Sequence, residues 1–269
     1  MRGRSWKRGE VSLDEIRALV ADFEDAAPLF DDEMMAGCAY DVVVVDGDLV
    51  IDGDLDTFAR GLCGLIVTGD LVVSGLFTDR DDPATGTYVL GAMRAGAVIT
   101  TGQLGVAERL DVARELIGFY NDYGATVRGE VTCACFVPEN HYFAVGSLRA
   151  PFVIGASASY RVPKTLAASL NVLAPSDYRR VLVAEVLDPQ RPEDDGGMDP
   201  EIVDDAIRAR VSAHQSIVLA TAIAKLGPSA KVKPTSHAKR KPKRKPKRKP
   251  KPNAKSAKRV AKPRVKRRR

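Results

Sequence analysis

The stretch that decides the fold is VVVVDGDLVIDGDL at residues 42–55, because its pattern returns as GLIVTGDLVVSGL at residues 64–76. Glycines mark the repeat in two registers. The first register is Gly47, Gly69 and Gly91, in two steps of 22 residues, and the second is Gly53 and Gly75, with Ala97 in the third copy. A fixed period of this size is typical of a stacked repeat architecture.

Within each copy, apolar residues alternate with polar ones. Val43 and Val45, then Leu49 and Ile51, stand two apart with aspartates between or beside them. This alternation predicts short strands with one buried and one wet face, and the Gly-Asp pairs supply the backbone freedom of sharp corners. Each strand would pair with its equivalent one coil along, with valine ladders inside. We therefore predict a mainly β protein, a parallel β-helix (solenoid) of about six coils between residues 42 and 154.

The repeat continues with uneven spacing at residues 106–110, 127–131 and 144–148. Residues 105–118 also carry apolar side chains at helical spacing, but they fit the repeat, so we assign them to a strand-bearing coil. The alternative is a doubly wound α/β fold. It requires covering helices, and segments such as 78–87 are too short and too polar to provide them.

Four regions follow from these patterns. They are an N-terminal segment with a capping helix (1–39), a β-helix repeat domain (40–160), a mixed or helical C-terminal cap (161–228) and a disordered Lys/Arg/Pro-rich tail (229–269). Caps are expected because an open coil exposes unpaired backbone. The capping helices flank the solenoid on both sides.

The caps have recognisable helix signals. Ser12 and Glu15 form a capping box that predicts a helix over 13–25. Residues 177–187 are predicted to be a helix or strand packed on the last coil. Asp199 as N-cap and Pro200 as first helical residue predict a second helix. It would run to Ala213, or as far as Leu226, and end at Gly227-Pro228.

The repeat strings, together with FYNDYGATVRGEV at 119–131 and PENHYF at 138–143, resemble a family of bacterial Gly-Asp-repeat β-helical proteins. These are often labelled polymer-forming cytoskeletal or bactofilin-like. The resemblance covers about residues 40–155 and extends into the acidic helical part to about 213. It implies a β-helical fold and self-association. The coils here are longer and richer in aspartate than bactofilin coils.

Aspartates of the repeat are candidate metal ligands. Asp46, Asp48, Asp52, Asp54 and Asp56 form the most acidic stretch. An EF-hand beginning at Asp52 would need Gly at 57 and Glu at 63, where the chain has Thr and Cys. The Gly-Gly-x-Gly-x-Asp calcium repeat is also absent. We interpret these aspartates as solvated corner residues.

His141 offers the one acid–base pair, because stacking of coils could bring it near Asp122. A histidine hydrogen-bonded in a turn is the commoner arrangement. The chain has no nucleophile elbow, phosphate loop or zinc-protease helix. We therefore predict that the protein is not an enzyme and has no catalytic residue, no cofactor and no metal site.

The cysteines predict no disulfide framework. Cys38, Cys63, Cys133 and Cys135 form no Cys-x-x-Cys pair, so we expect free thiols in a reducing cytoplasm. Cys133 and Cys135 are expected on the same face of a strand, and hence in the core.

Charge is segregated along the chain. Of 41 Lys and Arg residues, 21 lie between Lys231 and Arg269, where no Asp or Glu occurs. The remaining 20 stand against all 35 acidic residues, which gives the body a net charge of about −15. The tail contains six prolines and repeats Lys-Pro-Lys-Arg at 241–244 and 245–248. It is expected to be an extended, polyproline-II-like arm, similar in composition to linker-histone tails.

Such an arm is predicted to bind DNA or another polyanion through the phosphate backbone, without sequence specificity. It has no aromatic residue to stack on unpaired bases, which favours duplex. The predicted nucleic-acid-binding residues are Lys239, Arg240, Lys241, Lys243, Arg244, Lys245, Lys247, Arg248, Lys249, Lys251, Lys258, Arg259, Lys266, Arg267, Arg268 and Arg269.

Two functions remain open at this point. The first is a scaffold or adaptor whose tail binds DNA or another polyanion. The second is a self-assembling, bactofilin-like structural protein with its tail docked on acidic protein surfaces or anionic membrane. No apolar stretch of 7–15 residues follows the basic N-terminus, which argues against a signal peptide, and no stretch is long enough for a transmembrane segment. We expect a cytoplasmic location, with association with the nucleoid.

Overall fold

The computed structural model describes residues 3–81, 85–119, 122–155, 161–188 and 202–225. The strands are β1 Arg4–Ser5, β2 Asp41–Val45, β3 Leu49–Ile51, β4 Leu55–Asp56, β5 Leu62–Val67, β6 Leu71–Thr78, β7 Gly86–Val89, β8 Met93–Thr100, β9 Gln103–Val106, β10 Leu110–Val112, β11 Glu115–Gly118, β12 Gly124–Thr132, β13 Cys135–Val137, β14 Tyr142–Arg149 and β15 Phe152–Val153. The helices are α1 Leu13–Val20, α2 Asp32–Ala36, α3 Lys164–Ala167, α4 Tyr178–Val181, α5 Asp204–Ser212 and α6 Ala220–Lys225, with 3-10 turns at Glu24–Phe30, Pro175–Asp177 and Ala184–Val186.

The strands form a parallel β-solenoid with three faces. Face A stacks β2, β5, β7, β9, the first half of β12 and the first half of β14. Face B stacks β3, the first halves of β6 and β8, then β10 and the second halves of β12 and β14. Face C stacks β4, the second halves of β6 and β8, then β11, β13 and β15. Within the described residues this makes six strand triplets joined by five stacking steps, or about five turns.

The predicted parallel β-helix is therefore confirmed, and so is its valine ladder. Six valines stack one above another on the inner side of face A. They are Val45, Val67, Val89, Val106, Val127 and Val145. The first five are buried and the sixth is partly buried. Residues 105–118 form β9, β10 and β11, as the strand-bearing assignment predicted.

The N-terminal segment covers face A. Phe23, Phe30 and Tyr88 are buried there, with Phe23 and Tyr88 ring centroids 5.4 Å apart. Space for these rings comes from outward-facing glycines, because a Cβ on Gly64 would lie 2.9 Å from Phe30 and one on Gly105 would lie 2.6 Å from Tyr88. An outer apolar cluster thus binds the segment to the solenoid.

The first helix is shorter than the predicted 13–25. Ser12 caps α1 as expected, since its Oγ accepts a hydrogen bond from Glu15 N at 3.2 Å. The helix ends at Val20, and the chain turns so that Phe23 enters the face A cluster. The Glu15 carboxylate binds Arg4, so this capping box has only its serine half.

The C-terminal segment covers face C. Tyr178, Val186, Ile207 and Ile217 pack in one cluster with the outward side chains of that face. Glu115 anchors the contact: its buried carboxylate accepts hydrogen bonds from Ser216 Oγ at 2.5 Å and Ile217 N at 3.1 Å. The predicted element at 177–187 is thus a 3-10 turn, α4 and a second 3-10 turn, packed on face C.

The predicted end near Ala213 is confirmed, because α5 spans Asp204–Ser212 with Ala213 as its C-cap, and the alternative end at Leu226 is wrong. Asp199, Pro200, Leu226 and Gly227-Pro228 lie outside the described residues, and the described residues 202–225 contain two helices, α5 and α6. The break falls at His214, whose φ of 58° is left-handed. Beyond it the chain is extended, because Val218 forms an antiparallel bridge with Leu182 and Ile217 O accepts from Val183 N.

The last coil is capped, because Leu166, Leu170 and Val172 pack against the interior cluster beyond it.

Face B is open. Among the described residues, no segment pairs with this face or packs as a layer on it. Its outward-facing residues, stacked from coil to coil, are Val50, Val72, Arg94, Asp111, Thr132 and Arg149. Val50 is 68% exposed. In the part of the chain that the structure describes, the solenoid thus has two covered faces and one face turned to solvent.

Candidate nucleic-acid interface and the polar groups of the solenoid

The sixteen predicted nucleic-acid-binding residues, Lys239 to Arg269, all lie outside the described residues, which end at Lys225. Their role therefore stays a prediction from sequence. What the structure does describe is the polar chemistry of the acidic body. It shows where the body's carboxylates and cations make their contacts.

The Gly-Asp corners between faces A and B form a hydrogen-bonded ladder. Asp48 Oδ1 accepts from Asp70 N at 2.9 Å, and Asp70 Oδ1 accepts from Ala92 N at 2.9 Å. At the next corner, Asp54 Oδ1 accepts from Leu76 N at 2.7 Å. Each carboxylate therefore caps a backbone N–H one coil further along, 22 residues away. The aspartates of the repeat hold coils together.

The ladder also explains the glycine that precedes each of the two amide donors, Asp70 N and Ala92 N. A Cβ on Gly69 would lie 2.2 Å from Asp48 Oδ1, and one on Gly91 would lie 2.4 Å from Asp70 Oδ1. Positive φ occurs at Gly47, at 88°, but not at Gly69 or Gly91. The expectation that these glycines supply backbone freedom therefore holds for the first coil only, and the later ones supply space.

The second corner register needs one correction. Ala97 was predicted to occupy the glycine position in the third copy. The strand register shifts between Val73 and Leu76, so that Leu76 pairs with Ala97. Gly96 takes the corner instead, where a Cβ would lie 2.7 Å from Gly75 O.

The five aspartates of the acidic stretch are engaged at the corners. Asp46 pairs with Arg4 Nε at 2.9 Å, which lowers the pKa of Asp46. Asp52 Oδ1 accepts from Ser74 Oγ at 3.1 Å and Asp56 Oδ1 from Ala59 N at 2.8 Å. Asp46, Asp48, Asp52 and Asp54 are exposed and Asp56 is half-buried. Across the described ranges, no three His, Cys, Asp or Glu side chains meet as metal ligands would.

One carboxylate of the same kind is buried. Asp79 Oδ1 accepts from Thr101 N at 2.6 Å and Gly102 N at 2.9 Å, and Oδ2 accepts from Thr100 Oγ1 at 2.8 Å. Burial raises the pKa of Asp79 to about 6, although these hydrogen bonds oppose the rise. Asp79 lines a surface pocket of about 390 Å³ beside Arg208 and Ser212 of α5.

The two members of the predicted acid–base pair differ in exposure. His141 is fully buried, with its ring packed against Phe143 at 5.3 Å between centroids. Asp122 is exposed and lines an open surface pocket with Tyr123 and Tyr142. Whether the two form an acid–base pair stays a prediction.

Several cations in the described part of the body lie beside carboxylates. On face B, Asp111 lies 3.6 Å from Arg94 and 3.1 Å from Arg109, and Glu130 lies 2.9 Å from Arg149. A pocket of about 440 Å³ near the N-terminus, missed from sequence, is lined by Lys7, Arg8, Arg60 and Asp41. The Arg8 guanidinium pairs with Glu10 at 3.0 Å, and the Lys7 ammonium donates to the backbone carbonyl of Ala39. Asp41 accepts from the backbone N–H of Lys7 at 3.0 Å. Only the clustering of basic residues near the N-terminus could have signalled this pocket.

Comparison with family models, curated proteins and solved structures gives no match. The resemblance to bactofilin-like proteins therefore remains a prediction. Within the part of the chain that the structure describes, no helix has both the length and the apolar character to cross a lipid bilayer.

Proposed function

We propose that the protein is a non-enzymatic solenoid scaffold whose basic C-terminal tail binds DNA or another polyanion without sequence specificity. The observation that carries this proposal is the segregation of charge. Residues 231–269 hold 21 basic and no acidic residues, while the body has a net charge of about −15. An arm of one sign attracts a polyanion strongly, and binding releases the counterions of the phosphates.

The contacts in the described part of the body support the assignment of polyanion binding to the tail rather than to the body. Its corner carboxylates bind backbone N–H groups of the next coil, and Arg94, Arg109 and Arg149 face carboxylates of face B. A cation already paired with a carboxylate gives up that pairing when it binds phosphate, so it gains less free energy. The tail has no acidic residue of its own to neutralise it.

The test is duplex binding measured by fluorescence anisotropy across a salt series. We compare the full chain with a chain that ends at Gly227. If about ten phosphates are contacted, the slope of log affinity against log salt is roughly −9 for the full chain. The shortened chain is expected to bind at least about 100-fold more weakly at low salt. Equal binding by the two chains would contradict the proposal.

A charge-matched pair of variants provides the control. Replacing Lys243, Arg244 and Lys247 by Gln removes three charges from the tail and is expected to reduce the salt slope by about 3. Replacing Arg8, Arg149 and Arg180 by Gln removes three charges from exposed positions of the body. This second variant is expected to leave the slope unchanged. Repeating the series with heparin shows whether the tail distinguishes DNA from other polyanions.

A second candidate function is self-assembly, and the open strand edges favour it. Among the described strands, β3 and β4 pair only with β6, and β14 pairs only with β12. An edge strand presents unpaired N–H and C=O groups that another chain can bind. The first strand of face A, β2, is already covered by the antiparallel β1. Face B has such an edge at both ends, β3 at one and the second half of β14 at the other, so stacking of two copies would use the edges of face B.

Sedimentation of the chain ending at Gly227 separates the two candidates. Self-assembly through the solenoid predicts that the shortened chain still forms dimers or larger species as its concentration rises. The scaffold proposal predicts a monomer over the same range. A substitution of Val50 by Lys, on the exposed side of β3, is expected to abolish any assembly that uses this edge, because edge charges oppose strand pairing.

A further inference from the structure

Two cysteines far apart in sequence meet under the N-terminal segment. Cys38 follows α2, and Cys63 lies in β5 of the second coil. Their Sγ atoms are 3.0 Å apart, with the Cys38 thiol directed at Cys63 Sγ. Both are free thiols. Each Sγ also lies 3.5 Å from a backbone carbonyl, that of Tyr40 for Cys38 and that of Asp41 for Cys63.

The two members of the pair differ in exposure. Cys38 is half-buried, so small reagents in solvent can reach it, whereas Cys63 is 8% exposed. Burial raises the pKa of the Cys63 thiol. Thiols that react with oxidants are those that solvent can reach, and a neighbouring thiol can then resolve the oxidised product.

The other two cysteines lack this arrangement. They were predicted on one face of a strand, but Cys133 precedes β13 in a corner and its side chain joins the interior cluster, while Cys135 joins the outer cluster of face C. They are 1% and 0% exposed, and burial raises the pKa of both. They therefore serve as internal controls for reactivity.

We propose that Cys38 and Cys63 are a redox modification site, at which a hydroperoxide converts the two thiols to an intramolecular disulfide. The geometry supports this, because the Sγ atoms need to approach by only about 1 Å to reach the disulfide bond length of about 2.05 Å. Neither residue is needed for the tail's proposed binding of a polyanion. The inference is thus independent of that function.

The chemistry balances with hydrogen peroxide as the oxidant. The Cys38 thiol loses its proton and the thiolate attacks one peroxide oxygen; the O–O bond breaks, the sulfenic acid of Cys38 forms, and the leaving hydroxide takes up the thiol's proton as one water. Cys63 then attacks the Cys38 sulfur. The S–O bond breaks, hydroxide leaves and takes up the Cys63 proton as a second water, and the S–S bond forms. Two thiols are oxidised and one peroxide is reduced to two waters.

The bond would tie the segment that covers face A to the solenoid. Cys38 lies between α2 and β2, and Cys63 belongs to the outer cluster with Phe30 and Met35. A disulfide here closes a loop of about 25 residues and restricts the unfolded chain, which stabilises the folded state. Oxidation is therefore expected to raise the melting temperature by several degrees.

The experiment uses the full, folded, reduced protein. It is treated with hydrogen peroxide, unfolded, alkylated and digested with trypsin without reduction. The sequence separates the thiols well, because Cys38 falls in peptide 18–60, Cys63 in peptide 61–80, and Cys133 with Cys135 in peptide 129–149. We expect peptide 18–60 linked to peptide 61–80, with peptide 129–149 alkylated on both cysteines. Dithiothreitol should release the link and reverse the rise in melting temperature.

The variant Cys63→Ser tests whether Cys63 is the thiol that resolves the sulfenic acid of Cys38. Without the resolving thiol, Cys38 is expected to accumulate as a sulfenic acid that dimedone labels, and no linked peptide should form. The proposal is overturned if peroxide leaves Cys38 and Cys63 both free in the wild-type protein while a small-molecule thiol in the same tube is oxidised. It is equally overturned if the linkage found joins Cys38 or Cys63 to a second molecule of the chain.

Discussion

The first three coils of the solenoid and the last three share the same three faces, but their corners are held differently. In the first half, Asp48, Asp54 and Asp70 each accept a backbone N–H of the next coil. Backbone hydrogen bonds join the corners in both halves, such as Gly69 N to Gly47 O at 2.9 Å in the first and Gly129 N to Glu108 O at 2.7 Å in the second. The first half thus has carboxylate caps in addition to these backbone bonds, whereas in the second half an exposed ion pair, Arg149–Glu130, lies beside the corners.

This difference teaches why the repeat is regular at first and irregular afterwards. Each carboxylate of the ladder binds one amide in the next coil, and a glycine there leaves room for it. This requirement fixes the length of the coil at 22 residues. Where the ladder ends, the coil length is free to change. The corresponding corner positions Gly91, Glu108 and Gly129 are joined by N–H to O bonds over unequal steps.

The largest effect on stability is expected when a side chain is introduced at Gly69, in the space that the ladder occupies. Gly69→Ala places a Cβ 2.2 Å from Asp48 Oδ1 and 2.6 Å from the backbone carbon of Gly47. Because backbone cannot move aside as a side chain can, we expect a loss of about 3 kcal/mol in the free energy of unfolding. Urea denaturation measures it. Gly37→Ala is the control, since nothing lies within 4 Å of its Cβ. A loss below about 1 kcal/mol at Gly69 would show that the ladder is not tight.

The next largest effect on stability is expected at the buried carboxylate of Asp79, and this effect depends on pH. The pKa of Asp79 is about 6 in the folded protein against 3.8 for the free side chain. Between these values the folded state holds a proton that the unfolded state releases, so this residue makes stability fall as pH rises from about 4 to about 6. The contribution is on the order of 2–3 kcal/mol.

Asp79→Asn removes that titration. The difference in unfolding free energy between the variant and the wild-type chain is expected to change across pH 4 to 7 and to be flat above pH 7. Thermal or urea unfolding at each pH measures the difference. A difference that does not vary with pH would mean that Asp79 keeps the pKa of an ordinary aspartate in the fold.

A half-buried rung of the ladder is expected to contribute less than the buried Asp79. Asp70→Ala removes the acceptor of the Ala92 N–H, and we expect a loss of about 1 kcal/mol. Asp70→Asn keeps an acceptor oxygen and is expected to lose less than half of that. If both variants lose the same amount in urea denaturation, the charge rather than the hydrogen bond is responsible.

The smallest effect is expected in the second half. The Arg149 and Glu130 side chains are 76% and 42% exposed. A double-mutant cycle with Arg149→Ala and Glu130→Ala is expected to give a coupling energy under about 0.5 kcal/mol, because solvent screens exposed pairs. A coupling above about 1 kcal/mol would show that the two halves are held with similar strength.

The sequence predicts the solenoid well because the information is local. Alternation within each strand and the glycine period identify the valine ladder, and each signal lies within one or two coils. The coverage of the faces was not predicted, because it depends on contacts between distant segments. A usable signal existed: Gly64 and Gly105 occupy outward positions on strands, where a glycine marks close approach of another segment.

The errors have a common cause. The end of α1 at Val20 is decided by Phe23 entering the face A cluster. The break between α5 and α6 is decided by residues 216–218 pairing with face C and with Leu182. The corner at Gly96 is decided by a strand register shift. In each case a tertiary contact overrides a local propensity. For the candidate site, the sequence gives the charge of the tail, and the chemistry of the body only becomes visible in three dimensions.

The most direct test of the functional proposal is a titration of the uniformly ¹⁵N-labelled full chain with duplex DNA, followed by NMR. The account predicts that amide signals of residues 229–269 shift with added duplex, at low salt and reversibly with high salt. Signals of the solenoid corners and of face B should stay in place. Shifts confined to the solenoid, with the tail signals unchanged, would contradict it.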